Sequence, residues 1–218
     1  MDRERQRDLL PEEVLRVAQV TLIGAGAVGS ATAIALAKMG IGQLTVYDDD
    51  TVAGHNLPNQ WYRHQDLELP KVLALQAAVV GYSDDTAFTP NTCRYNGSPL
   101  AGIVISAVDS MASRHYIWRR VKRYHPELYI DSRMGPELSQ VFTLCNMADD
   151  AAANYERLRM IPPGDEIPLP CTAKSTIYGA MGTAALICAS VRRHLTGEPP
   201  LGAVTMDWVN GFAMTEAY

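Results

Sequence analysis

A chain of 218 residues and 23.9 kDa, 47% hydrophobic and 20% charged, has the make-up of an ordinary globular protein and enough length for one domain (1–218) with a real core. Its net charge of -5 and pI of about 5.5 argue against the broad basic surface that tracks a nucleic-acid backbone. The opening MDRERQRD has no apolar leader, and the most apolar stretch, Ile177 to Val191, is too short and too polar to span a bilayer; a cytoplasmic protein without membrane or nucleic-acid partners is expected.

Pro11 suits a first helical position and Glu12 and Glu13 a first turn, so an N-terminal helix is expected within residues 1–16. The apolar run Val17 to Ile23 reads as a buried strand that runs into Gly24-Ala25-Gly26-Ala27-Val28-Gly29. Ser30 to Met39 is alanine-rich and helical with Gly40 as its C-cap, and Leu44 to Tyr47 is a second strand closed by Asp48-Asp49-Asp50. Lys71 to Val80 reads as a helix, Ile103 to Ala107 as a strand and Met111 to Tyr124 as a helix. Leu128 to Asp131 and Gln140 to Asn146 read as further strands. From Met147 to Pro170 the pattern dissolves into polar and proline-rich sequence, which predicts a long crossover loop (147–172) with at most one helical turn. Ser175 to His194 is a long helix, and Asn210-Gly211 between two short apolar runs predicts a hairpin with a type I′ turn. The expected class is α/β: a Rossmann-like, mainly parallel sheet flanked by helices, with a C-terminal β-hairpin.

Gly24-x-Gly26-x-x-Gly29 sits between a strand and a helix, where glycines permit a tight turn and let phosphate approach the backbone at a helix N-terminus. Asp48, about 20 residues on, is placed to grip ribose hydroxyls. NAD enzymes and ATP enzymes share these features, and the next segment separates them. Asp48-Asp49-Asp50, then Asn56-Leu57-Pro58-Asn59-Gln60, then Lys71, and further on Asp109 with Arg114, resemble the D-x-D, N-L-x-R-Q and lysine pattern of the ThiF/MoeB/HesA/ubiquitin-activating-enzyme superfamily, as a minimal bacterial-type member.

That resemblance implies roles position by position. Gly24, Ala25, Gly26 and Gly29 cradle ATP, and Asp48 holds its ribose. Asn56, Asn59 and Gln60 line the phosphates, Lys71 neutralises them, Asp109 is the Mg²⁺ ligand and Asp50 lies beside the same site. Arg5 resembles an arginine that some members lend across a dimer interface. The implied chemistry is ATP-dependent adenylation of a C-terminal carboxylate, with a ubiquitin-like or sulfur-carrier protein ending in glycine as partner, and a homodimer. Bringing a carboxylate to an α-phosphate joins two anions, so such a site must spread positive charge over the phosphates.

One position departs from the pattern. Asn59 stands where the family has arginine, which leaves either reduced activity or a substitute, Arg63 or Arg133; for Arg133 a pairing with Asp131 or Glu137 is the competing reading. Cys171, followed by Thr172, resembles the thioester cysteine of ubiquitin-activating enzymes, and a half-buried loop cysteine explains it equally. The four cysteines are too scattered for a zinc knuckle, and Cys145 and Cys188 fit core positions. Arg114, Arg119, Arg120, Lys122 and Arg123 read as a solvated helix face, and Gly179, Gly182 and Ala185 as a close-packed face against the core or a second copy. The rival functions are a NAD-dependent oxidoreductase, a non-catalytic scaffold and an adenylating enzyme for a short peptide or small molecule.

Overall fold

A computed structural model describes residues 2–147, 149–162 and 175–216. Alternating apolar runs and glycine or proline breaks produce α1 (Glu12–Val17), β1 (Gln19–Ile23), α2 (Ala27–Met39), β2 (Gln43–Tyr47), α3 (Lys71–Tyr82), β3 (Ala87–Asn91), β4 (Ile103–Ser106) and α4 (Met111–Tyr124). They are followed by β5 (Leu128–Met134), β6 (Leu138–Cys145), α5 (Asp149–Arg159), α6 (Ile177–Leu195), β7 (Ala203–Asp207) and β8 (Phe212–Glu216). The strands form one sheet in the order β3-β2-β1-β4-β5-β6-β7-β8, as expected for the α/β class. The first five are parallel, and β6, β7 and β8 each run antiparallel to the preceding strand in that order.

The core lies on both faces of the sheet. On one, α2 packs between α3 and α6, and Leu22, Leu36, Leu44, Val46, Leu75 and Ile105 are fully enclosed. On the other, α4 and α5 cover Val104, Trp118, Tyr129, Phe142 and Tyr155. Burial on both faces explains why β4 is buried at every position and shows no alternation. The chain builds outward from β1 through β2 to β3, then returns to the other side of β1 to lay down β4 and β5. This switch in direction opens a crevice at the carboxyl ends of β1 and β4, where ligands of open α/β sheets bind.

Three local expectations differ from the structure. The segment 147–172 contains the three-turn helix α5, because Tyr155 inserts among Trp118, Tyr129 and Phe142 with ring centroids 4.7–6.1 Å apart. Alanines, Glu156 and Arg157 carry it with good helix propensity around that single large anchor. β3, unexpected because Pro90 interrupts a polar run, is an edge strand where proline is tolerated. The β7–β8 connection is a four-residue loop, 208–211: Gly211 has φ 68°, and Asp207 accepts hydrogen bonds from the Val209 and Asn210 amides and from the Asn210 side chain. That carboxylate, three residues earlier than the dipeptide signal, sets the loop and replaces the type I′ turn.

Candidate functional site

Each motif glycine answers a separate steric demand. Gly24 has φ 100°, and a Cβ there would lie 2.6 Å from the Ala107 carbonyl oxygen of the neighbouring strand end. A Cβ on Gly29 would overlap the Gly24 carbonyl, whereas one on Gly26 would meet nothing within 4 Å. Gly24 and Gly29 therefore let the turn pack onto β4, and Gly26 leaves open backbone at the start of α2. The first amides of α2 have no acceptors within the helix, which makes this end a receptor for negative charge.

Asp48 continues from β2 and locks the loop: its carboxylate accepts from the Ala25 amide at 2.6 Å and from the Asp50 amide at 2.9 Å. Burial nonetheless raises its pKa above the ordinary carboxylate value, against those hydrogen bonds and the Lys71 charge. Tyr62 closes the loop from behind by donating to the Ala25 carbonyl at 2.6 Å, and burial pushes its phenol pKa well up, so it remains a donor. No motif pointed to Tyr62.

Lys71, the first residue of α3, is 5% exposed, and its Nζ lies 2.8 Å from the Asp50 carboxylate. Asp50, Asn56 and Lys71 line a cleft of about 250 Å³ together with Thr51, Ala53 and His55. That is below the roughly 300–1,000 Å³ of a complete small-molecule pocket and suits one portion of a ligand. Asn56 is buried, and its side-chain oxygen accepts from the Ala53 amide at 2.9 Å, fixing the turn 54–56. Asp109 is exposed just before Ser110, whose hydroxyl caps α4 by accepting from the Ser113 amide.

A family model described as the ThiF family matches residues 5–205, nearly the whole chain. The chain belongs to the ThiF family. It is 32% identical over 113 residues to the sulfur carrier protein ThiS adenylyltransferase of Escherichia coli, a match covering 49% of this chain and 45% of that protein. It is 31% identical over 114 residues to the molybdopterin-synthase adenylyltransferase of Escherichia coli, covering 49% and 45%. The matches thus span a little under half the length of these relatives. Among solved structures, Escherichia coli MccB with MccA-N7isoASN superposes with a TM-score of 0.79 at 15% identity, over 96% of this chain and 66% of that one. PaaA superposes with a TM-score of 0.74 at 20% identity, over 94% and 74%. These two likenesses concern the fold.

Against the ThiF-family pattern, the remaining site residues divide. Gly24, Ala25, Gly26, Gly29, Asp48, Asp50, Asn56 and Lys71 gather along the carboxyl ends of β1 and β2. Asn59 is turned away from a charge-carrying role: its amide donates to the Ser175 hydroxyl, just ahead of α6. The side-chain oxygens of Asn59 and Gln60 are buried without hydrogen-bond partners among the described residues. Arg63 is clamped by both oxygens of Asp66, at 2.9 and 3.1 Å.

Arg133 follows the pairing reading. Its Nε donates to Asp131 at 2.9 Å, and its guanidinium lies 5.0 Å from the Phe142 ring. Asp131, fully buried, also accepts from Arg114 and, at 3.0 Å, from the Tyr155 hydroxyl. Arg114 is therefore not part of a solvated face, although Arg119, Lys122 and Arg123 are exposed. Arg5 is exposed in a 3-10 turn (Glu4–Gln6) tied to the far end of α2, where Gln6 donates to the Lys38 carbonyl. α2 is about 20 Å long, at roughly 1.5 Å per residue, so Arg5 is remote from its own chain's glycine loop.

Gly182 accommodates Trp208, whose ring would overlap a Cβ there, so the small-residue face of α6 packs within the chain at that point. Cys188 is buried, which pushes its thiol up to about 12. Cys171 lies outside the described residues. Among the described residues, no helix is long and apolar enough to cross a membrane.

Proposed function

We propose that this ThiF-family chain is an ATP-dependent adenylyltransferase acting on a C-terminal carboxylate, of a ubiquitin-like or sulfur-carrier protein ending in glycine. The observation that carries the reading is the joining of the glycine loop to Asp48 beside the pair that buried Lys71 makes with exposed Asp50. A nucleotide laid with its ribose on Asp48 brings its phosphates to Gly26 and the α2 amides. Each Asp48 oxygen keeps a lone pair for a ribose hydroxyl after accepting one backbone amide. Lys71 exchanges Asp50 for phosphate oxygens and offsets charge as the incoming carboxylate attacks the α-phosphorus and pyrophosphate departs.

The residues fit Mg²⁺. Asp109 is an exposed carboxylate at the strand edge, and Asp48, Asp49 and Asp50 bring carboxylate oxygens within 4.8 Å of one another. Such hard oxygens suit an ion that takes one or two carboxylates plus phosphate oxygens. Asp109 would hold the ion, which would supply positive charge to the leaving pyrophosphate. Arg5 takes part only if a second copy delivers it, so the reading includes a homodimer. Thioester formation at Cys171 is a separate branch, tested by conjugate formation in Cys171→Ser.

Calorimetric titration of wild type and Asp48→Ala with ATP plus Mg²⁺, and with NAD, tests the reading. ATP binding lost in the variant, with no NAD binding, is the expected result; NAD binding alone would sink it. The fixed tie of Asn59 to Ser175 favours one second reading, a non-catalytic scaffold. ATP binding without pyrophosphate exchange, in the presence of ThiS-like and other carrier proteins, would select that alternative.

A further inference from the structure

The structure identifies a cation at the nucleotide edge that the family pattern does not contain. With Asn59 tied to Ser175, Arg63 clamped by Asp66 and Arg133 committed to Asp131, the proposed substitutes for the missing arginine are engaged elsewhere. Arg94, in the connection between β3 and β4, reaches back across the strand ends, and its Nε donates to Asp49 at 2.9 Å. Asp50 and Asp109 lie close enough for their charges to act on the same guanidinium. Arg94 thus stands over the segment that follows β2.

Its backbone is held while its side chain is free to move. The next residue, Tyr95, is 7% exposed, donates to the Ser98 carbonyl and packs edge-on against Tyr47 and Tyr116, with centroids 5.4 and 6.2 Å away. The Arg94 side chain is 84% exposed, with Asp49 as its ion-pair partner. An exposed pair of this kind is weak and exchanges partners readily.

We propose that Arg94 is a base-specificity residue whose guanidinium plane covers the purine of the bound nucleotide. The inference rests on the adenylation reading above. A nucleotide carries its phosphates at the 5′ carbon of the ribose and its base at the 1′ carbon. With the ribose on Asp48 and the phosphates over Gly26, the base extends along the rim flanked by Asp49 and Asp109, where Arg94 stands. A planar guanidinium stacks on an aromatic face, more fully on a purine than on a smaller pyrimidine, and Asp49 can keep hold of its edge while it does so.

Equilibrium binding of ATP, CTP and tripolyphosphate, each with Mg²⁺, to wild type, Arg94→Ala and Arg94→Lys provides the test. Because the side chain is exposed, both variants should melt as wild type does. In Arg94→Ala we expect ATP affinity to fall about tenfold, between the sizes of an exposed and a desolvated cation–π contact. CTP should weaken less and tripolyphosphate change less than about twofold on the same grounds, since neither offers a purine face. Arg94→Lys, which restores charge without the plane, should recover only part of the ATP affinity. Equal losses for ATP and tripolyphosphate would place Arg94 on the phosphates and overturn the proposal, as would unchanged ATP binding in Arg94→Ala. Absence of ATP binding by wild type would overturn the adenylation reading along with it; wild-type ATP binding that is lost in Asp48→Ala keeps that reading intact whatever Arg94 does.

Discussion

Two charged assemblies stand at the carboxyl ends of the strands, built from the same residue types and opposite in solvent access. At the proposed nucleotide rim, Asp49 and Asp50 hold Arg94 and Lys71, and the carboxylates are 44% and 64% exposed. Three strands over, Asp131 is fully enclosed and shared by Arg114, Arg133 and Tyr155. The rim pairs can trade a carboxylate for a phosphate because water already solvates one side of each. The Asp131 assembly cannot, since opening it would strand charge in a low-dielectric interior. An ion pair at a strand end is thus a ligand contact or a structural clasp according to its access to water.

The largest break in this comparison is Asp131→Asn. Removing one partner of a buried charge network costs roughly 3–5 kcal/mol, or about 6–20 °C in Tm for a chain of this size. Differential scanning calorimetry should show that loss, with part of it recovered when Arg114→Met removes the stranded cation as well. An unchanged Tm would mean that the Asp131 assembly is as open to water as the rim. Next in size is Asn59→Arg, which restores the family's cation beside the phosphates at the expense of the tie to Ser175. ATP affinity should rise by about three- to tenfold for a charge-assisted contact, read from the same titrations; no gain would mean that the phosphates already have their full complement of positive charge.

The smallest effect separates Asp48 from ordinary carboxylates. Its raised pKa means that the folded chain holds this proton more tightly than the unfolded chain does, so its contribution to stability is present at acid pH and declines as pH rises through the raised value. The Tm of Asp48→Asn minus that of wild type should therefore drift upward between pH 4 and 7 (approximate limits from the usual carboxylate range). A gap that narrows instead would show that the amide hydrogen bonds outweigh burial. Asp66 and Glu156, whose pKa values are lowered, change with pH in the opposite sense, and the difference between variant and wild type removes them.

The parts of the molecule that were legible in the sequence are those fixed by short-range patterns. The strand–glycine–helix unit, Asp48 at the end of β2 and the Gly40 cap of α2 each declare themselves within a few residues. What could not be read depends on distant partners. Arg114 meets Asp131 across 17 positions, Tyr155 meets it across 24, and Arg94 meets Asp49 across 45. Helix α5 has one large aromatic anchor and an otherwise polar face, so no apolar stripe announces it. Asn59 was visible as a departure, but its attachment to Ser175, 116 residues away, was not.

Pro90 gives the sheet a polarity of its own. The Ala87 amide faces the β2 side, donating to the Gly42 carbonyl, so the period-two alternation of a strand turns position 90 toward the open side. There proline supplies no donor, and the outer margin of β3 offers an incomplete ladder to any approaching strand. The opposite margin, β8, is exposed along its whole length and contains no proline. Strand addition is therefore disfavoured at the Pro90 margin, whereas among the described residues β8 is exposed and has no proline to interrupt its ladder.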